Sequence, residues 1–452
     1  MKALKTALYG LAIAGLAVSA GCSNETGSFS SGGGGGSIGG GGAGGGGGGG
    51  AGGGGGGPPT VTTEPDLAYQ LDNQSATLWD LRISGSASNI VFVADEDPFG
   101  TNPTGNEQIF AVDLSSGDIT QLTSDPRDSF TAFLEFEITD NGSEVVFLSR
   151  EDIVAGSNPG NVRQIFVAQT DGTGTEQVSN FAIGFVTDVD ISGDGNLIVF
   201  QSTDDLVVGS NPGNVNQIFS ITRAGVIEQI TTGIPDPLEF DLSDDGSRIV
   251  YASAANPFGT NADFSREIFV INTDGTGHAQ ITDQPNGPAG MDGSFNPKIS
   301  DDGDRIAFVS TDDHAGGNAD LNYEVFGIQA DGTGIVQITD SGMNDSGVDQ
   351  SDAPNDISIS GNGVYVAFGS DADLTGENTA GGHTIFWATF DGTTIGQILK
   401  DGRIPDTIDN FSGDTVHIIN DGAGFAFRST TNFAFDSTGV GEKIFTHARE
   451  GT

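Results

Sequence analysis

The sequence is poor in cysteine, in positive charge and in long apolar runs. Its 452 residues include one Cys, so no internal disulfide framework and no Cys-based zinc site can form. Lys and Arg number 16 against 62 Asp and Glu, and the formal net charge is -46. Binders of nucleic acid or of anionic membrane surfaces need basic patches, so this balance argues against both. It favours cations, basic peptides or neutral surfaces as partners. After the N-terminus no run of about 20 apolar residues occurs, and nothing downstream reads as a bilayer-spanning helix. Helix-period amphipathicity is missing too, which argues against an α-solenoid.

Glycine is abundant, at 72 residues. Residues 1–21 read as a secretory signal. Lys2 and Lys5 supply charge, Leu8 to Val18 an apolar core, and Ser19, Ala20 and Gly21 a small-residue cleavage site. Cys22 follows directly. This resembles the bacterial lipoprotein signal, in which such a Cys is acylated and becomes the mature N-terminus; Ser23 resembles the outer-membrane sorting pattern. Cys22 is therefore the expected lipidation site. Residues 22–60 read as a disordered tether. Its Gly32–Gly57 portion is nearly pure Gly and behaves as a flexible coil with a reach of roughly 28 Å. Pro58 and Pro59 stiffen its end.

From about Leu67 the chain repeats itself. One column is Phe110, Phe166, Phe219, Phe269, Phe326, Phe386 and Phe445, spaced by 50 to 60 residues. A second, upstream in each repeat, is Phe92, Phe147, Phe200, Tyr251, Phe308, Phe368 and Phe427. Each repeat reads as four short strands. The first two flank a tight turn such as Asn141-Gly142, Asp194-Gly195 or Asp302-Gly303, whose residues tolerate positive φ. A long polar loop leads to the third strand, and the fourth carries Gln121, Gln177, Gln229, Gln280, Gln337 or Gln397. The last repeat lacks that Gln strand, while Tyr69-Gln70-Leu71-Asp72 stands ahead of the first. The expected fold is all-β: a seven-bladed β-propeller of four-stranded antiparallel blades over residues 61–452. Its ring would be closed by the N-terminal strand completing the last blade.

The segments Ile299-Ser300-Asp301-Asp302-Gly303-Asp304-Arg305-Ile306-Ala307-Phe308 and Glu267-Ile268-Phe269-Val270-Ile271-Asn272-Thr273-Asp274-Gly275 resemble the TolB-type (WD40-like) propeller repeat. The resemblance recurs along about 380 residues. It implies the propeller fold. For function it implies little, because propellers host binding scaffolds, peptidase gating domains and some lyases.

Period-two alternation places two polar sets on the channel face of the first strands. Asp80, Glu135, Asp188, Glu239, Asn296, Asp356 and Val416 form one set. Arg82, Glu137, Asp190, Asp241, Lys298, Ser358 and Ile418 form the other. The acids Asp80, Glu135, Glu137, Asp188, Asp190, Glu239, Asp241 and Asp356 outnumber Arg82 and Lys298, so a cation such as Ca²⁺ or a basic peptide could bind there. The alternative is that these groups bond to backbone N–H of neighbouring blades. The Asp- and Asn-rich loops at Asp152 to Asn161 and Asp204 to Asn214 could also take Ca²⁺, or be simple Asx-turns. His278, His314, His383, His417 and His447 fall in different columns, and no Gly-x-Ser-x-Gly, phosphate-loop or His-Glu-x-x-His motif occurs. No catalytic residue and no certain cofactor is assigned.

The expected function is an envelope-anchored, non-catalytic scaffold for a protein, peptide or other ligand. It would be a monomer that touches membrane only through its lipid, probing from the outer membrane on a slack leash. The rival is a metal-dependent lyase or hydrolase acting on polysaccharide at the channel.

Overall fold

The computed structural model describes residues 67–72, 78–94, 106–124, 135–233, 235–284, 293–341, 357–377, 384–398, 416–429 and 443–448. The chain divides into two units, Met1–Asp66 and Leu67–Thr452, and every described residue belongs to the second. The signal, Cys22 and the tether lie outside the described residues.

Blade three illustrates how the repeat folds. Its strands are Val186–Ile191, Leu197–Ser202, Gln217–Thr222 and Ile227–Gln229. The turn between the first two is closed by Gly195 N–H to Ser192 O at 2.8 Å, with Gly195 at φ +76°, a region closed to most side chains. Asp194 holds that turn by accepting from Ser192 Oγ at 2.8 Å and from Asn196 N–H at 3.0 Å. Ser192 Oγ in turn accepts Leu197 N–H at 3.0 Å. The Ser-x-Asp-Gly signature is thus a self-satisfying hydrogen-bonded unit.

A second unit fastens the fourth strand. Thr231 Oγ1 accepts Ile218 N–H at 2.9 Å and donates to Gln217 Oε1 at 2.7 Å. Gln229 Nε2 donates to Thr231 O at 2.7 Å. The same latch recurs with Gln177 and Ser179 in blade two and with Gln337 and Thr339 in blade five. In blade two the Gln also reaches the long loop, where Ser157 Oγ donates to Gln177 Oε1 at 2.6 Å.

The two aromatic columns lie directly opposite one another on the second and third strands. Phe92 pairs with Phe110, Phe147 with Phe166, Phe200 with Phe219, Tyr251 with Phe269, Phe308 with Phe326, and Phe368 with Phe386. Their rings stack with centroids 5.2 to 5.8 Å apart. Each pair is buried and anchors the apolar layer between neighbouring sheets.

Six four-stranded sheets are each built from consecutive strands, starting at Leu78, Phe136, Val186, Glu239, Ser294 and Ile357. In the seventh sheet Val416–Ile418, Gly424–Ser429 and Lys443–Ala448 are followed by Leu67–Asp72, with Gln70 opposite Phe445. The N-terminal strand thus supplies the fourth strand of the last sheet. That strand extends the outer edge of its own sheet. The contacts that the described residues show between first and last sheets belong to inner strands. Asn420 N–H donates to Gly85 O at 3.2 Å, and Ala426 packs into the cluster of Leu81, Phe92 and Phe110. The physical reason is that blades meet face to face and are narrowest at the axis, whereas an edge strand can satisfy only its own ladder.

Because the latch is buried, Thr231→Val strands both Ile218 N–H and Gln217 Oε1. Urea unfolding should show a loss of about 1–3 kcal/mol. A loss below about 0.5 kcal/mol would mean the latch does not hold the fourth strand.

Candidate functional site

The first strands line the axis in three layers. Nearest the long loops stand Asp80, Glu135, Asp188 and Glu239; Asp356 lies outside the described residues. The middle layer holds Arg82, Glu137, Asp190, Asp241, Lys298, Ser358 and His417. At the tight-turn mouth stand Gly85, Asp140, Gly193, Asp244, Asp301, Gly361 and Asn420. The lower two layers enclose a cavity of about 130 Å³.

In the upper and middle layers the charges are largely tied up within the protein. Arg82 bridges Glu137 through Nε and Asp80 through Nη1, both at 2.8 Å. Lys298 Nζ lies 3.2 Å from Asp241 Oδ1. Asp190 accepts Leu242 N–H of the next blade at 2.8 Å and Ile191 N–H at 2.7 Å. Asp241 accepts Ile299 N–H of the next blade at 2.8 Å. Glu239 accepts Asn296 N–H of the next blade and pairs with Arg266. These carboxylates bind blade to blade.

Burial dominates their protonation. It raises the Glu135 carboxyl to about 8, with the Asp188 charge adding to it. It raises Asp188 to about 6 against the pull of Lys298. Asp190 is pushed well up by burial and then by Glu137 and Asp241. Burial also raises Glu239. His417 is held well down by burial and then by the positive charges of Arg82 and Lys298, so it stays neutral.

The turn-mouth layer has a different character. Ligand oxygens of Asp140, Asp244 and Asp301 all lie within 4.8 Å of one another. Asn420 Nδ2 donates to Asp140 Oδ1 at 2.5 Å. Glycine is required beside the acids: a Cβ on Gly361 would lie 2.0 Å from Asp301 Oδ2. A backbone belt supports the layer from blade to blade. Ser86 N–H donates to Asp140 O, Gly193 to Asp244 O, Asp245 to Asp301 O, Asp301 to Gly361 O, and Asn362 to Asn420 O, at 2.8 to 3.0 Å. Burial, then Asp301 and Asp140, raises Asp244 to about 8. Burial and Asp140 raise Asp301 to about 6. The trio can share protons, or hold a cation that prefers oxygen.

Of the channel acids picked from sequence, Glu137, Asp190 and Asp241 line this cavity. Reading the sequence missed Asp140, Asp244, Asp301 and His417. The position after the Ser or Thr is Gly in three repeats and Asp in three, with Asn420 in the last, and that pattern was the available signal. In the last repeat the reading slips by one residue. Gly422 N–H bonds Ile419 O as Gly363 N–H bonds Ser360 O, so Ile419 takes the Ser place. His417 then takes the middle-layer position, while Ile418, which also borders the cavity, packs into the core.

These observations define a β-propeller whose polar channel is cross-linked from within. No protein-family model matches the sequence, and no curated protein does. Among solved structures the chain is similar to a prolyl endopeptidase, at 13% identity and TM-score 0.51, covering 84% of this chain and 51% of that one. The β-propeller domain of the trilobed protease from Pyrococcus furiosus aligns at 12% identity and TM-score 0.50, covering 83% of this chain and 96% of that one. TolB from Acinetobacter baumannii aligns at 13% identity and TM-score 0.42, covering 68% of this chain and 63% of that one, under two thirds of its length. At such identities the likeness speaks for the fold alone.

Glu135, Asp188, Asp244 and Asp301 hold protons more tightly folded than unfolded. Stability should therefore fall as pH rises from about 4 to about 8, and level off above. Exposed carboxyls held low, such as Asp391 at about 2, act only below that window. Melting temperatures from pH 4 to 9 test this. Asp244→Asn, which places at this position the amide found at Asn420, should flatten the slope; an unchanged slope would count against the shared-proton trio.

Proposed function

We propose that the protein is a non-catalytic binding scaffold of the cell envelope, lipid-anchored at Cys22 and held out on the Gly-rich tether. Its partner is a protein or peptide segment with apolar anchors and basic flanks. The observation that carries this reading is the apolar exposure on the long-loop rim of blades three and four. Phe185 is 62% exposed, Val208 96% and Phe264 64%, and Ile183, Leu238 and Phe258 are exposed with them. The connections between blades and the long loops share that rim by topology. Aromatic anchors set among carboxylates suit a cationic, amphipathic partner.

Phe264 adds weight. It holds φ at +58°, where the equivalent residues of blades two and three are Asn161 at +50° and Asn214 at +49°. Asn tolerates that region better than a bulky side chain does; Leu321 holds it in blade five at φ +58° but is half-buried, whereas Phe264 leaves its ring exposed.

The rival, a metal-dependent lyase or hydrolase acting on polysaccharide, draws on the Asp140, Asp244 and Asp301 trio. A cavity of about 130 Å³ is small beside the roughly 300–1,000 Å³ of ordinary ligand pockets, and a sugar chain does not fit it.

The test uses the immobilised chain against a panel of basic peptides carrying Leu or Phe anchors. Binding should weaken with added salt. It should drop by at least about tenfold in Phe185→Ser/Phe264→Asn, since anchor truncations cost about 2 kcal/mol or more. Equal binding by wild type and variant would remove the rim from consideration.

A further inference from the structure

Cations are scarce in this chain, and most of those among the described side chains are spent inside the fold. Arg82, Arg223, Arg248, Arg266 and Lys298 each pair with a carboxylate. Arg305 donates to Gly363 O and lies over the Phe390 ring. Among the described residues, Arg150 and Arg163 have no ion-pair partner.

The sheet register brings these two together. In blade two the strands Glu144–Ser149 and Gln164–Gln169 pair with Ser149 opposite Gln164. Arg150 and Arg163 come next on either side, so they stand opposite one another. Such residues have Cβ atoms about 4.5–5.5 Å apart, and like charges there repel. Arg163 Nη1 donates to Val186 O at 2.9 Å, which turns it toward blade three, and Arg150 is exposed. Burial, then the Arg150 charge, pulls the Arg163 pKa below its ordinary value.

Other blades avoid this juxtaposition. At the same two places blade three has Thr203 and Asn216, blade four Ala254 and Arg266, and blade five Thr311 and Tyr323. Arg266 is answered by Glu239 at 3.4 Å. The corresponding acid of blade two, Glu135, lies in the field of Arg163 without pairing with it. Burial, then the Asp188 charge, holds the Glu135 carboxyl up to about 8, so at neutral pH it is mostly uncharged. Two neighbouring guanidiniums are thus left without a counterion among the described residues of a chain with net charge -46.

Apolar groups adjoin the pair. The link from blade two to blade three lies directly across Arg163: a Cβ on Gly184 would fall 2.7 Å from Arg163 N and 2.8 Å from Arg163 O. Ile183 and Phe185 flank that contact and are exposed. Phe185 N–H donates to Asp204 Oδ2 at 3.3 Å, which holds its backbone while the ring stays in solvent.

We propose that Arg150 and Arg163 form a carboxylate-binding site on the rim between blades two and three, with Ile183 and Phe185 seating an apolar group next to that carboxylate. Guanidinium forks match the two oxygens of a carboxylate. A monoanion suits the place better than a phosphate, whose second charge meets the field of the surrounding acids. The occupant follows from the peptide reading of the rim and rests on it: the partner segment presents a carboxylate beside an apolar side chain, at its chain end or on Asp or Glu.

The pair itself is tested on the full chain by calorimetry with N-acetylphenylalanine and its amide. The acid should bind wild type at least about tenfold tighter than the amide, because it alone offers a charged acceptor. The double variant Arg150→Thr/Arg163→Asn borrows the residues of blade three, so it should fold. It should melt no lower than wild type, since a like-charge pair is removed, and it should bind acid and amide equally. Basic peptides ending in Phe then test the occupant: the free acid should bind better than the amide, and the variant should lose that difference. An amidated peptide with Glu beside the Phe assigns the source, a side chain if binding recovers and the chain end if it does not. Equal binding of N-acetylphenylalanine and its amide by wild type would overturn the proposal. So would a variant that keeps the preference, or tighter binding of inorganic phosphate than of the acid. N-acetylphenylalanine held through the pair while no peptide binds would remove the rim reading and leave the carboxylate site standing.

Discussion

The structure depends on one contact repeated around the axis: the stacked aromatic pair in the middle of each consecutive-strand sheet. A four-stranded sheet this short cannot stand alone, because a small twisted sheet leaves both faces wet. The pair supplies a large apolar body at the point where each blade meets its neighbours. Phe200 and Phe219 share a cluster with Val146, Leu148 and Ile165 of the preceding blade. Phe308 and Phe326 do so with Val250 and Ile268. Each sheet is therefore stabilised by the next, and the hydrogen-bonded turns and latches act on strands already positioned by these rings.

Given that packing, polar groups are forced toward the axis, where blades converge and water is scarce. The protein treats the axis differently at different depths. In the middle layer, acids pair with Arg82 or Lys298, or accept the N–H of the next blade, so charge is used as mortar. At the turn mouth, three acids share the ring with three glycines and crowd one another. A net charge of -46 thus does not translate into an open acidic funnel. The exposed chemistry lies at the opposite rim, where Phe185, Val208 and Phe264 face solvent among carboxylates.

Much of this was legible before any coordinates. The two aromatic columns, the Asp-Gly turns and the Gln of the fourth strand recur at the same places in each repeat, and each has a local reason to do so. Gly195 needs its positive φ, and Gln229 needs a carbonyl two residues on. Convergence across repeats was less legible. Asp140 and Asp244 are far apart in sequence and meet only because their blades do. The last repeat misled by one residue because Ile419 breaks the Ser pattern there, hiding His417 in the channel. The Gln signature of the N-terminal strand gave its place in the last sheet, while the contacts of the first and last sheets through Asn420, Gly85 and Ala426 had no signature in the sequence.

The sequence by itself determined the strand periodicity, the turns, the in-register aromatic pairs and the channel-facing set, since all of these follow from contacts within one repeat. Tertiary structure alone decided which carboxylates are paired, which are crowded together and which apolar residues stay exposed. Those outcomes depend on distances between different blades, and a one-dimensional pattern does not encode them because burial and charge coupling are set by what the neighbouring sheet brings to the same point.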